Sequence, residues 1–102
     1  MTAVIFAEAE DDLESAFNYY QNQRSGLGNE MIDEFRRGVD QILQFPEAWQ
    51  PLDAVYRRYR LHRFPYGIVY RIATDGSSMV IVAVMHLHRK PDVWRERNSS
   101  GP

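Results

Sequence analysis

The sequence contains no cysteine. It can therefore form no disulfide and no thiolate metal site, and nothing in it points to an oxidising compartment. Long hydrophobic runs are also missing. The longest, Met79 to Met85, falls far short of the roughly 20 residues that cross a membrane as a helix. Met1 to Asp12 lacks the basic-then-apolar order of a secretory signal. A soluble cytoplasmic chain with no membrane partner is the expectation. There is no internal repeat and no low-complexity segment. Gly26-Leu27-Gly28 has neither the lysine nor the preceding strand of a phosphate-binding loop. Charge of one sign is scarce as well: the 102 residues carry a net −2, which taken whole argues against a nucleic-acid binder.

That total conceals a division. Residues 1–50 hold ten acids and three bases, a net −7, whereas residues 51–102 hold four acids and nine bases, a net +5. The length suits one domain, expected over residues 1–97, with the small polar residues 98–102 as a disordered tail.

Hydrophobic periodicity sets out the elements. Val4-Ile5-Phe6 is a short β-rich run. Ala9, Leu13, Ala16, Phe17 and Tyr20 recur at helical spacing, with Glu8, Glu10, Asp11 and Asp12 at the end where the helix dipole favours negative charge. A second helix is expected from about Asn29, as its N-cap, to Phe45, with a stripe of Met31, Phe35, Val39, Ile42 and Leu43. Pro46 fixes its stop. Gly38, costly in mid-helix, signals close approach to the first helix or the sheet. Residues 47–53 read as a turn-rich connection. The period then becomes two through Arg58 to Arg63 and again through Tyr66 to Ala73, Asp75-Gly76 marks a hairpin, and Met79 to His86 reads as a central strand. The fold class is α+β: an N-terminal strand, then a helical hairpin packed on one face of a small, mainly antiparallel, curved sheet. The acids then lie mostly on the helical layer and the bases on the sheet.

Arg57, Arg58, Arg60, Arg63 and Arg71 lie on or beside the strands, and Arg89, Lys90, Arg95 and Arg97 follow the last one. Tyrosines and Trp94 are interleaved with them. Basic plus aromatic residues compose a surface that grips phosphates and stacks bases, and equally one that meets an acidic protein. All three histidines, His62, His86 and His88, fall in the basic half. Cleaving RNA through the ribose 2′-hydroxyl needs a base, cationic stabilisation and an acid. Arg63, His86 and Arg89 are the catalytic candidates, and Arg58, Arg60, Arg71, His88 and Trp94 the binding candidates. A hydrogen-bonded structural role for His86, and a tail-anchoring role for Trp94, stand beside these readings. His86-x-His88 lacks an evident third metal ligand, so no metal and no cofactor is expected.

Several segments in order resemble the RelE/ParE superfamily of type II toxin–antitoxin toxins: Ala9 to Leu13 with Tyr19-Tyr20, then Gly26-Leu27-Gly28 leading to a helix ending at Phe45-Pro46. Arg63-Phe64-Pro65-Tyr66 follows, and last His86-x-x-Arg89-x-Pro91-x-x-Trp94. The resemblance spans residues of about 3 to 97. It implies a helical hairpin against a curved sheet and a toxin held inactive by a cognate antitoxin. It also places Arg63, His86 and Arg89 near positions that RNA-cutting members use. Trp94 stands near a catalytic aromatic of those members, but an indole is neither a proton-transfer acid nor a base.

The function expected on these grounds is a growth-inhibiting toxin of a plasmid- or genome-stabilising pair, acting by ribosome-dependent mRNA cleavage. Whether the chain is an enzyme stays open. The alternatives are a ParE-like toxin that inhibits DNA gyrase without a nuclease, and a non-catalytic interaction module. The partners expected are a cognate antitoxin, with an acidic segment complementary to the +5 half, and the ribosome with its mRNA or DNA gyrase.

Overall fold

A computed structural model describes residues 1–89 and 93–100. The chain runs through β1 (Thr2–Ile5), α1 (Ala7–Gln23), α2 (Leu27–Gln44), β2 (Gln50–Pro51), β3 (Arg57–Arg60), β4 (Tyr66–Ile72), β5 (Ser78–His86) and a C-terminal 3-10 turn, Val93–Ser100. The strands form one sheet in the order β1-β5-β4-β3-β2. β1 lies parallel to β5, from Thr2 opposite Ser78 to Ile5 opposite Ile81. The remaining neighbours are antiparallel. The sheet is therefore mixed, and mainly antiparallel as expected.

The hairpin turn at residues 75–76 closes β4 onto β5, with the Gly76 N–H donating to the Ala73 carbonyl at 2.8 Å. Every residue of β4 but the last is buried, and Met79 to Val84 of β5 are all at most 3% exposed. These two strands are the core, which explains why β5 reads as a continuous apolar run rather than an alternating one. β2 does not stand out in the sequence. Two residues long and holding Pro51, it occupies the sheet edge, where a missing N–H is tolerated.

The helices differ from expectation at their junction. α2 starts at Leu27, not Asn29, and its N-cap is Gly26 at φ +89°. That left-handed backbone suits glycine and lets the chain reverse within three residues of α1. Asn29 is already inside the helix. The other end is as read: Phe45 is the C-cap, and its N–H donates to the Gln41 carbonyl at 3.0 Å. Gly38 faces the sheet, where a Cβ would come within 2.8 Å of the Tyr59 ring and 3.0 Å of Ile68.

Gly28 is where the two helices touch. A Cβ there would stand 2.7 Å from the Phe17 carbonyl oxygen and 2.8 Å from Gln21 Oε1, the atom that accepts the Gly28 N–H at 2.9 Å. Because one obstacle is backbone, a side chain cannot be accommodated by a rotamer change. Gly28→Val is expected to destabilise the fold by about 1–3 kcal/mol, read as a lower urea midpoint. A midpoint equal to the wild type's would show that the hairpin can open without cost.

Candidate functional site

The site grows from a mismatch in strand length. β1 makes its last rung to β5 through the Phe6 N–H and the Ile81 carbonyl, at 3.0 Å. β5 continues to His86 with β4 on one side only. Side chains complete that vacated edge. Asp12 of α1 accepts the Val84 N–H through Oδ2 at 3.0 Å, and Arg97 of the C-terminal turn donates to the Val82 carbonyl at 3.1 Å. The two side chains are themselves ion-paired at 2.6 Å and are about one-fifth exposed. Carboxylate and guanidinium thus take the places of a strand's acceptor and donor. The Asp12 bond holds the Arg97 pKa above its ordinary value, against the opposing effect of burial.

Above this edge opens a cavity of about 850 Å³, within the range of ligand and partner pockets. α1 supplies Asp12, Ser15, Ala16 and Tyr19 to its wall, and the C-terminal turn supplies Trp94 and Arg97. The sheet supplies Tyr66 and the stretch Ala83 to His86, and the following loop adds His88 and Arg89. The His86 ring stacks edgewise on Tyr66 at 5.2 Å and lies 5.6 Å from the His88 ring. The His88 N–H donates to His86 Nδ1 at 3.1 Å, so a neutral His86 carries its proton on Nε2. Its pKa lies below the ordinary value, first through desolvation and then through the adjacent positive charge of Arg89 and His88. The Tyr66 hydroxyl is pushed up by burial, with Arg89 acting against the rise.

The residues picked from the sequence divide between this cavity and other places. His86, His88, Arg89 and Trp94 line it. Arg63 does not. It sits in the β3–β4 loop, where its guanidinium is 2.7 Å from Glu30. Glu30 also holds Arg24 at 3.1 Å, and the two partners depress its pKa. Arg58 reaches Gln50 at 2.9 Å, and Arg60 is exposed on β3. Arg71 is buried in β4, so as a binding candidate it is not on an accessible surface. Trp94 is 3% exposed and packs edgewise on Tyr56 at 4.6 Å, an anchor's position rather than that of an open stacking platform. Lys90, Pro91 and Asp92 lie outside the described residues. Residues 98–100, expected in a disordered tail, continue the 3-10 turn, and residues 101–102 are outside the description. Among the described residues, no group of three His, Asp or Glu side chains is placed to hold a metal.

Two structural carboxylates do not stand out in the sequence: Asp12 at the cavity, and Glu34 behind the loop between β3 and β4. Asp12 lies on α1 among the acids near its N-terminal end. It stands three residues after Ala9 and four before Ala16, both buried, so it interrupts the apolar stripe. Glu34 stands three after Met31 and four before Gly38, again among buried residues, and is 4% exposed. It accepts the His62 N–H and, at 3.1 Å, the Arg63 N–H. A carboxylate on a buried stripe was the available signal in both cases.

The C-terminal turn has a second tether. Asp53 accepts the Val55 and Tyr56 N–H groups, both at 2.8 Å, and Arg95 at 2.6 Å. Led by the Arg95 bond, these contacts lower its pKa from 3.8 to about 2. A depressed carboxylate stabilises above its unfolded value and loses that contribution as pH falls through its folded value. Trp94 emission is therefore expected to show an acid transition with a midpoint near 2. Arg95→Ala is expected to move the midpoint upward. An unmoved midpoint would assign the transition to another group.

Fold and cavity together define a class: a small two-layer α+β domain whose helical hairpin and last strand enclose a cationic, aromatic-walled cavity. Residues 4–91 match the family described as "ParE toxin of type II toxin-antitoxin system, parDE". The chain is 36% identical over 87 residues to "Toxin ParE2" from two strains of Mycobacterium tuberculosis, covering 81% of this chain and 78% of the relative. A solved structure titled "Chromosomal ParDE TA system from P. aeruginosa" superposes with a TM-score of 0.75 at 16% identity, over 85% of this chain and 96% of that one. That likeness speaks to the fold. The chain belongs to the ParE toxin family of type II toxin–antitoxin systems.

Proposed function

We propose that this toxin arrests growth by acting on DNA gyrase as a binding protein, without cutting RNA, when free of its antitoxin. Membership of the ParE family supports this branch over mRNA cleavage. The observation that carries it is the dispersal of the cleavage set. Arg63 is engaged by Glu30 outside the cavity that holds His86 and Arg89, and the aromatic at the cavity's C-terminal wall is a buried tryptophan, unable to protonate a leaving oxygen. Cytoplasmic residence follows from this target. One observation favours a second reading, ribosome-dependent cleavage: His86, Arg89, Tyr19 and Tyr66 do share one cavity.

Induction of the toxin alone, with protein and DNA synthesis followed in parallel, separates the two. Early loss of DNA synthesis, with supercoiling by purified gyrase inhibited in vitro, is the expected result. An Arg63→Ala, His86→Ala, Arg89→Ala variant should still inhibit gyrase. Translation failing first, with cleaved messenger that the triple variant no longer produces, would overturn the proposal.

A further inference from the structure

Five large apolar side chains stand in solvent among the described residues: Met1 and Val4 at the β1 edge, Tyr19 at the cavity, and Phe45 and Val55. The last two belong to no site described above, yet the fold brings them to one end of the sheet. β2 and β3 pair with Pro51 opposite Arg57, so the turn that carries Val55 leaves the sheet beside Arg57. Arg57 lies opposite Tyr70 of β4. The Tyr70 hydroxyl donates to the Pro46 carbonyl at 2.6 Å. The Arg57 guanidinium donates to the Glu47 and Trp49 carbonyls at 3.1 and 2.9 Å. The segment after α2 is thus fastened to the start of β3, with Phe45 at one limit and Val55 at the other.

Both side chains project from braced backbone. Phe45 caps α2, and its carbonyl accepts the Ala48 N–H at 3.1 Å. Val55 donates its N–H to Asp53, which also holds the Tyr56 N–H and Arg95. Phe45 is 55% exposed and Val55 57%, so the core uses little of either. A fixed backbone gives up little freedom when such side chains dock. An aromatic beside an aliphatic group, held in place, suits an anchor that fills a partner's recess. The neighbouring charges select the partner. Glu47, Asp53 and Asp75 lie at this end, while Arg57 turns inward to carbonyls and Arg95 lies against Asp53. Arg60, Arg63, His88 and Arg89 are at the opposite end of the sheet. An acidic surround repels phosphate and suits a protein surface rimmed with Lys or Arg.

We infer that the end of the toxin bearing Phe45 and Val55 docks on the protein surface of gyrase. The two side chains enter an apolar recess there, and Glu47 and Asp75 face basic residues at its rim. This docking rests on the gyrase reading above and adds the surface used and the chemistry of its counterpart. It leaves Arg63, His86 and Arg89 away from the contact, and it needs no DNA.

The test uses the whole toxin and purified gyrase holoenzyme, with calorimetry for binding and a supercoiling assay for inhibition. Wild-type toxin should bind gyrase in the absence of DNA. Phe45→Ser should weaken both binding and inhibition by at least roughly tenfold, as truncation of an interface anchor does, and Val55→Ser should add to the loss. Phe45→Leu keeps an apolar side chain and should stay within about threefold of the wild type. Glu47→Lys should weaken binding by roughly threefold, and by less at high salt. Wild-type melting and wild-type affinity for the antitoxin encoded beside the toxin verify that each variant is folded. Equal inhibition by the wild type and a folded Phe45→Ser, Val55→Ser variant places the contact elsewhere and sinks the inference, with the gyrase reading intact. Binding that appears only when DNA is present also overturns it. Self-association that Phe45→Ser abolishes, with gyrase affinity unchanged, would give this surface to a second copy of the chain. A wild-type toxin that neither binds nor inhibits gyrase would undo the reading itself.

Discussion

Ile68→Ala is expected to destabilise the protein by about 2–5 kcal/mol, the range for removing a fully buried aliphatic side chain that leaves a cavity. Ile68 has no exposed surface. It lies opposite Tyr59 on β3 and Val84 on β5, and its Cδ1 sits beneath Gly38 of α2. The side chain thus joins three strands to one helix at their closest approach. Neighbours so constrained collapse poorly into a void, which places the effect toward the upper part of the range. Single domains of this size are stable by only about 5–15 kcal/mol, so an appreciable fraction of the margin is lost. Thermal unfolding should fall by about 4–8 °C for each kcal/mol. A variant melting within a degree or two of the wild type would mean that α2 settles onto β4, and Gly38→Ala would then have to be better tolerated in that background than alone.

Glu34→Ala is expected to cost about 2–6 kcal/mol by another route. The Glu34 carboxylate is buried and accepts the backbone N–H groups of His62 and Arg63. Truncation leaves two donors without their acceptor at a part-buried position, each costing about 1–3 kcal/mol. The consequence reaches the surface. These bonds fix the loop between β3 and β4, which carries Arg63 to Glu30 and Phe64 to the Tyr20 ring at 4.8 Å. Glu34→Gln keeps one acceptor oxygen and should recover part of the loss. Amide hydrogen exchange distinguishes a local from a global effect: His62 and Arg63 should lose protection in Glu34→Ala beyond what the fall in global stability accounts for. Unchanged protection there would mean that water replaces the carboxylate and that the loop is held by Leu61 and Tyr66 alone.

Much of the fold was legible because it rests on periodicity. The helical stripes of α1 and α2, the apolar run of β5 and the stop at Phe45-Pro46 all follow from local chemistry. What escaped was set by small differences or by partners distant in the chain. The start of α2 turned on which residue could adopt a left-handed backbone, and Gly26 won over the capping side chain of Asn29. β2 exists only because β3 offers it an edge. The site was legible in part: His86, His88 and Arg89 lie close in sequence and stay close in space. Arg63 carried a matching motif, yet its guanidinium turns to Glu30. The structural importance of Asp12 depended on Arg97, 85 positions away.

The sequence by itself determined the class of fold, the order of its elements and the concentration of positive charge in the second half, since these depend on local period and composition. Only the tertiary structure decided which of those charges face one cavity. A strand two-fold in period commits its side chains to one face or the other, but which face is covered depends on what packs there. For this protein, α1 and the C-terminal turn meet over the end of β5 where β1 has stopped short, so Asp12 and Arg97 close the edge and His86, His88 and Arg89 come to line one cavity.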